Sequence, residues 1–511
     1  MVVGAGSSGA ALAARLGDSG RGSVLLLEAG GADRSPELHV PASFSRLFKS
    51  GYDWDYQTTP QPGLAGRSIY WPRGKVLGGS SSLNAMMWVR GFAADYDEWA
   101  EAAGPDWSWA AVEPYLSRVE GDVTVEEQRD PRSHTAAFLE AARQLGYPVE
   151  VANSATPQGF TSTMVTQHRG ARSSTATAYL RRHRRRSSLT VRTRAQTTRV
   201  LFEGRRATGV EYRHQGVTRT VHARREVVLC GGTVNTPQLL MLSGIGPADH
   251  LKRHGIEVLV DSPAVGGNLR DHLVSGHVVR AAAGTLAAAT RPRELVDYLV
   301  RRRGMLTSNV AEAYGFVRSD PDLELPDLEI LFAPVAYVGE GLVPPPAHGV
   351  TVAAILLRPR STGTIRLRSA DPFEKPDIDP GYLSDPGGRD RQVLLAGLEV
   401  CRRILATPAM RAITDGRYLV PPGGETLDDR ERAALLVDEY AHTLYHPTST
   451  ARMGSDSGSV VDPQLRVRGV EGLRVADASV MPQIIRGHTN APAIVIGERA
   501  ADLVSGSLSP F

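Results

Sequence analysis

The sequence predicts an α/β fold. One domain is a nucleotide-binding unit with a parallel sheet, assembled from segments far apart in the chain. The other is an α+β domain with an antiparallel sheet. Three observations carry this reading. Gly4, Gly6 and Gly9 form a G-x-G-x-x-G turn between an apolar strand and a helix-forming run. A second strand–glycine–helix junction stands at Arg225 to Leu242, so two distant segments share one sheet. Between residues 276 and 440 the pattern becomes that of antiparallel strands, and α/β character returns after it.

The first element is Val2-Val3. So few residues precede Gly4 that the first strand is expected to be incomplete at its start. Ala10 to Leu16 forms helix readily, and Ser23 to Leu27 reads as a buried parallel strand ending at Glu28 and Ala29. The first glycine permits the tight turn, the second admits a pyrophosphate, and the third lets helix and strand pack closely. Ser7 and Ser8 open the helix, whose free N–H groups and positive end suit phosphate. Glu28 stands where a carboxylate accepts from ribose hydroxyls and repels a 2′-phosphate. An ADP-containing cofactor, FAD or NAD rather than NADP, follows.

Residues 30–70 are irregular, an excursion over the cofactor. In the run from Trp71 to Gly91, the small residues Gly78 to Ser82 let backbone approach something flat. Asp95 to Ala103 and Trp107 to Val119 read as helices. Residues 174–182 read as a short helix ending in His183-Arg184-Arg185-Arg186, a basic run suited to a solvated helix end. Leu189 to Arg192, Arg199 to Phe202 and Thr208 to Tyr212 read as strands of a small sheet. Arg225 to Cys230 is a buried strand, followed by a helix from Thr236 to Leu242. Val350 to Leu357 and Gly363 to Leu367 read as strands joined by a turn at Ser361-Thr362-Gly363. Near the end, Leu473 to Ala476 is a short strand stopping at Asp477, and Met481 to Gly487 is a loop. The last helix runs from Ala493 to Leu503, with Thr489 or Asn490 as cap and Pro492 in its first turn. Its N-terminus faces the site just after His488, where it favours negative charge.

Composition bounds the function. At about 100–200 residues per domain, 511 residues allow two to four domains. A net charge of +3 gives no global pull toward nucleic acid or an anionic membrane. No apolar run of about 18 residues exists, so no transmembrane helix is expected. Cys230 and Cys401 cannot build a disulfide framework, and the opening has no signal-peptide pattern. Buried thiols in a cytoplasmic setting are expected. No metal-ligand spacing and no internal repeat stand out.

At these segments the chain resembles the glucose–methanol–choline (GMC) family of flavin-dependent oxidoreductases, over Val2 to Leu503. Residues 71–91 are similar to its first signature, and Gly231 to Gly246 to its second. Tyr445-His446-Pro447-Thr448 through Asn490-Ala491-Pro492 matches its catalytic region. The resemblance implies a discontinuous Rossmann-like FAD-binding domain over 1–275, with an excursion over 151–188 into the substrate domain. It implies a substrate domain over 276–440 and a return to the FAD domain over 441–511. It implies an alcohol substrate, hydride transfer to flavin N5, and an acceptor that is a quinone, a redox carrier or O2. A dehydrogenase is the leading reading. The alternatives are an O2-using oxidase and a non-redox relative of the hydroxynitrile lyase or photodecarboxylase type.

Residue by residue, His446 matches the active-site histidine and His488 the second position, which is His or Asn in the family. Asp477 matches an acid near the ribityl chain, and Thr197 the residue whose backbone meets adenine. Val76, Asn84 and Met87 match positions along the flavin, and Gly79 and Asn490 belong to the same cofactor-binding set. Leu83 stands where some members attach FAD through histidine, so non-covalent FAD is expected. Ala451 replaces a common Cys, a change expected to affect packing. The chemistry suits histidine, whose ordinary pKa of ~6.5 makes it a usable base near neutral pH. His446 is read as the base and His488 as the partner fixing the substrate oxygen. Glu312 either faces a cationic substrate or pairs locally, the second being the commoner case.

Overall fold

Two sheets organise the chain in a computed structural model that describes residues 1–20, 22–181 and 188–506. The first is five-stranded and parallel throughout, in the order Leu189–Arg192, Val24–Leu27, Val2–Val3, Val227–Leu229, Leu473–Val475. Its inner strands are short and apolar because both a helix, Ser7–Asp18, and strands of a small antiparallel sheet pack on it. Val2, Leu26, Leu229 and Val475 are fully buried. The helices Ser7–Asp18 and Asn490–Ser505 pack on each other so closely that a Cβ on Gly497 would lie 2.2 Å from the Ser8 carbonyl oxygen. The two ends of the chain therefore meet at the nucleotide loop.

The second sheet is antiparallel. Its path runs Thr414–Val420, Leu273–Ala281, Gly349–Leu356, Leu328–Ala333, Ala313–Val317, Gly159–Ser162, and His442–Thr443 pairs with Leu273–Ala281. The helix Arg389–Leu405 packs on this sheet, with Gly397 against Ala354 and Leu328. The excursion before residue 188 thus gives this sheet an edge strand.

Five expectations change. Leu189–Arg192 is the edge of the parallel sheet, not part of the small one. Its pairing to Val24–Leu27 is extended by Val24 N–H to Ser188 O and Glu28 N–H to Arg192 O, contacts a four-residue pattern cannot announce. The small sheet is a meander of Ala195–Glu203, Arg206–His214 and Val217–His222. Thr364–Arg366 does not pair with Gly349–Leu356, whose two edges are already occupied; it pairs with Asp377–Asp379. The helix expected from Thr236 begins at Gly232, because Asp477 Oδ2 accepts from the Gly232 N–H at 2.8 Å and the Thr236 hydroxyl at 2.6 Å. Likewise the terminal helix starts at Asn490, after Thr489, and the turn near 174–182 is a π-helix over Ala176–Leu180. The run His183 to Arg186 lies outside the described residues. Cys230 and Cys401 are buried free thiols. Among the described residues no helix is long and apolar enough to cross a membrane.

Candidate active site

A single elongated cavity runs from the nucleotide loop to the inner face of the antiparallel sheet. Gly4, Gly6, Ser7, Ser8, Glu28 and Ala29 line one end, and His446 and His488 line the other. The loop's glycines do different jobs. A Cβ on Gly4 would lie 2.3 Å from Cys230 O, and one on Gly9 would lie 2.0 Å from Gly4 O, so both are held by close packing. A Cβ on Gly6 would meet nothing nearer than Gly79 Cα at 4.0 Å, and would instead fill the cavity. That open cradle is what a pyrophosphate needs. Glu28 accepts from the Ala5 and Gly30 N–H groups, both at 2.8 Å, and burial pushes its carboxyl up to about 7. Thr197 lies on the wall, and its hydroxyl is buried without a hydrogen-bond partner. An adenosine diphosphate end fits this donor and acceptor set.

Further along, Asp477 is buried at the wall and fixed by Gly232, Thr236 and the Ser479 N–H. Asn490 Oδ1 accepts from the Ser7 hydroxyl at 2.7 Å, which joins the terminal helix to the nucleotide loop. Gly79, Asn84 and Met87 line the middle. Asn84 Oδ1 accepts from Arg172 Nη1 at 2.7 Å; burial with no carboxylate beside it brings the Arg172 guanidinium down to about 9. Two expected residues lie off the wall. Gly9 is sealed under Gly4, and Val76 packs with Leu38, Leu47 and Leu83 beneath the loop. Leu83 itself lines the cavity and offers no atom for a covalent bond to flavin. Glu312 is also away from the cavity: it accepts from Thr135, Ser308 and the Arg132 N–H, the local pairing.

The two histidines meet edge to face, with ring centroids 4.8 Å apart. His446 follows the short His442–Thr443 strand, and its N–H donates to Asp271 Oδ1 at 2.8 Å. Its Nδ1 lies 3.0 Å from His272 Nδ1, and His272 Nε2 lies 3.1 Å from Leu357 O. A carbonyl oxygen accepts only, so His272 carries its proton on Nε2 and presents a lone pair at Nδ1. His446 then donates from Nδ1, and its Nε2 keeps a free lone pair. Burial, followed by the nearby His488 and His272, holds His446 well below the ordinary histidine pKa; burial brings His272 down to about 3. Both rings are neutral at physiological pH. His488 Nε2 lies 3.0 Å from Glu329 Oε1, and Glu329 is fully buried.

Asp271, His272 and Glu329 escaped the sequence reading. Asp271-His272 is a visible acid–histidine pair just before a strand, but Glu329 sits in an apolar strand with nothing to mark it. Three wall residues, Met86, Val310 and Tyr445, have φ of 55°, 74° and 67°. For a β-branched residue such as Val310 this is strained backbone, costing about 1–3 kcal/mol, and such strain gathers at functional sites.

Family models described as GMC oxidoreductase match residues 1–274 and 359–497. The chain belongs to the GMC oxidoreductase family. Within it, the chain is 56% identical to an uncharacterized GMC-type oxidoreductase of Mycobacterium tuberculosis, covering 99% of this chain and 98% of that one. It is 41% identical to an alcohol dehydrogenase [acceptor] of Pseudomonas putida, over 99% and 95%. A solved formate oxidase of Aspergillus oryzae RIB40, studied for its FAD modification, superposes with a TM-score of 0.91 at 29% identity, over 99% and 98%. This GMC oxidoreductase is therefore an FAD-binding enzyme acting on CH–OH groups, and its cavity fits that cofactor from Gly6 to His446.

Proposed function

We propose that this GMC oxidoreductase is a dehydrogenase of neutral, apolar alcohols, with His446 as the base and His488 as the group that holds the substrate oxygen. FAD would be held along this cavity, where Leu83 offers no atom for a covalent bond, and when bound would supply the hydride acceptor at flavin N5. The observation that carries the reading is the His272–His446 contact, which leaves His446 Nε2 as a neutral acceptor on the cavity wall. That nitrogen takes the hydroxyl proton, which lets the carbon release hydride. Asp271 holds the His446 backbone, and Glu329 holds the His488 ring. Asp477 and the terminal helix N-terminus at Asn490 line the same cavity, where the positive helix end favours negative charge.

The substrate class follows from the wall. Near the histidines it is built from Phe44, Phe48, Val310, Leu331, Tyr337 and Leu444. The acids on the cavity wall are Glu28 and Asp477, both committed to backbone and hydroxyl donors. A cationic alcohol would find no carboxylate there. The relative named alcohol dehydrogenase [acceptor] supports an acceptor other than O2. The test is anaerobic mixing of yellow holoenzyme with a series of linear and aromatic alcohols, followed by absorbance. Bleaching that strengthens with apolar chain length is expected, with electrons passing to an artificial quinone faster than to O2. A flavin that no alcohol bleaches overturns the proposal.

A further inference from the structure

The helix Pro292–Arg301 stands apart from the rest of the fold. Its inner edge is anchored: Tyr298 is buried, and Glu294 accepts from the Met305 N–H at 2.9 Å. Its outer face is apolar and open. Leu295, Val296, Leu299 and Val300 are 51%, 58%, 62% and 75% exposed. They form two adjacent i, i+4 rows, one continuous stripe. Scattered exposed apolar residues are ordinary, but a contiguous stripe on one helix face marks an interaction surface. Around it stand the exposed Arg291, Arg293, Arg301, Arg302 and Arg303. The acids are outnumbered: Asp297 lies between Arg293 and Arg301, and Asp130 lies 4.0 Å from Arg303.

The place of this helix matters. It packs on the turn Met305–Thr307, which packs on the turn Pro41–Leu47, which in turn packs on Gly339–Gly341. Phe44 and the exposed Gly339 both line the cavity, so this chain of contacts ends at the rim. Leu342 and Val343, 38% and 50% exposed, extend the apolar surface beside that rim.

We infer that the helix Pro292–Arg301 docks this enzyme on an anionic lipid bilayer, with Leu295, Val296, Leu299 and Val300 in the headgroup boundary and the arginines on the lipid phosphates. Charge decides the occupant. An apolar stripe alone would suit a second copy of the chain, but two such helices would bring two arginine clusters together, whereas an anionic surface neutralises them. Docking this way turns the cavity rim toward the bilayer, where apolar alcohols and quinones concentrate. That delivery step rests on the apolar-alcohol proposal; the docking rests on the helix alone.

The test is co-sedimentation of holoenzyme with phosphatidylglycerol–phosphatidylethanolamine vesicles and with neutral phosphatidylcholine vesicles. Binding to the anionic vesicles, released by high salt, is expected. The variant L295S/V296S/L299S/V300S and the variant R301Q/R302Q/R303Q should each weaken it by at least about tenfold. Both should keep wild-type turnover of a short, water-soluble alcohol, which shows them folded and keeps docking separate from substrate choice. Wild-type protein that stays in the supernatant overturns the inference. So does equal binding to neutral vesicles that ignores the arginine variant. Self-association abolished by the apolar variant, without vesicle binding, reassigns the face to a second copy and overturns it too.

Discussion

The tautomer and placing of His446 are set by its neighbours. The Leu357 carbonyl sets the His272 tautomer, His272 sets that of His446, and Asp271 pins the His446 backbone. Replacing His446 by Ala should slow anaerobic flavin reduction by about 10²–10⁴-fold, read by stopped-flow absorbance. His272→Leu keeps a buried apolar volume but removes the acceptor, so His446 loses its fixed tautomer. FAD content should hold while the reduction rate falls by about tenfold or more, a change that lost stability alone would not give. The pH dependence has a definite sign. Burial lowers the His446 pKa, so it stays a base at pH values where an ordinary histidine is protonated. The acid limb of the reduction rate should therefore lie below pH 6.5. Glu28 runs the other way: burial brings it to about 7, and its protonation removes a charged acceptor for ribose. FAD should dissociate more readily as pH falls from 8 to 6, measured by fluorescence titration, and Glu28→Gln should flatten that dependence.

At the scale of elements, the nucleotide loop is held by contact distances rather than by sequence pattern alone. A methyl on Gly9 would press on Gly4 O at 2.0 Å and on Cys230 Cβ at 2.9 Å, so helix Ser7–Asp18 would have to lift from the sheet. Gly9→Ala should give a protein that purifies colourless with a lowered melting temperature. Gly6→Ala leaves the fold intact, since its Cβ meets only the cavity, but costs FAD affinity; comparing FAD content and thermal unfolding of the two separates packing from binding. The loop, the Ser7–Asp18 helix and both strand–glycine junctions were legible in the sequence, because close backbone approach demands glycine and leaves a readable spacing. The start of the Gly232–Leu242 helix was not, because its cap is Asp477, supplied from a strand far along the chain.

At the scale of the whole molecule, one buried cluster ties the helix Ala93–Ala103 and the antiparallel sheet to the loop before His488. Asp95, 1% exposed on the helix Ala93–Ala103, pairs with Arg358 just beyond the strand Gly349–Leu356 and with Arg486 two residues before His488. Asp95→Ala would leave Glu98 as the remaining carboxylate beside the Arg358 and Arg486 guanidinium groups. Stability in urea unfolding should fall, by less than the about 3–5 kcal/mol that a fully stranded buried charge costs, with a lowered flavin reduction rate as the 481–487 loop loosens. The sequence alone carried the plan of a parallel-sheet nucleotide domain beside an antiparallel-sheet domain, the nucleotide loop, the family, and the choice of His446 and His488 as candidates, since each is written in short-range spacing or in long signatures. Tertiary structure decided what surrounds them. Glu329 comes to His488 from the strand Leu328–Ala333 and His272 to His446 from just before the strand Leu273–Ala281, Leu189–Arg192 finds its place in the parallel sheet, and the stripe at Leu295 to Val300 is left uncovered. A residue's neighbours across the fold are set by how distant segments pack, and no local pattern of side chains carries that information.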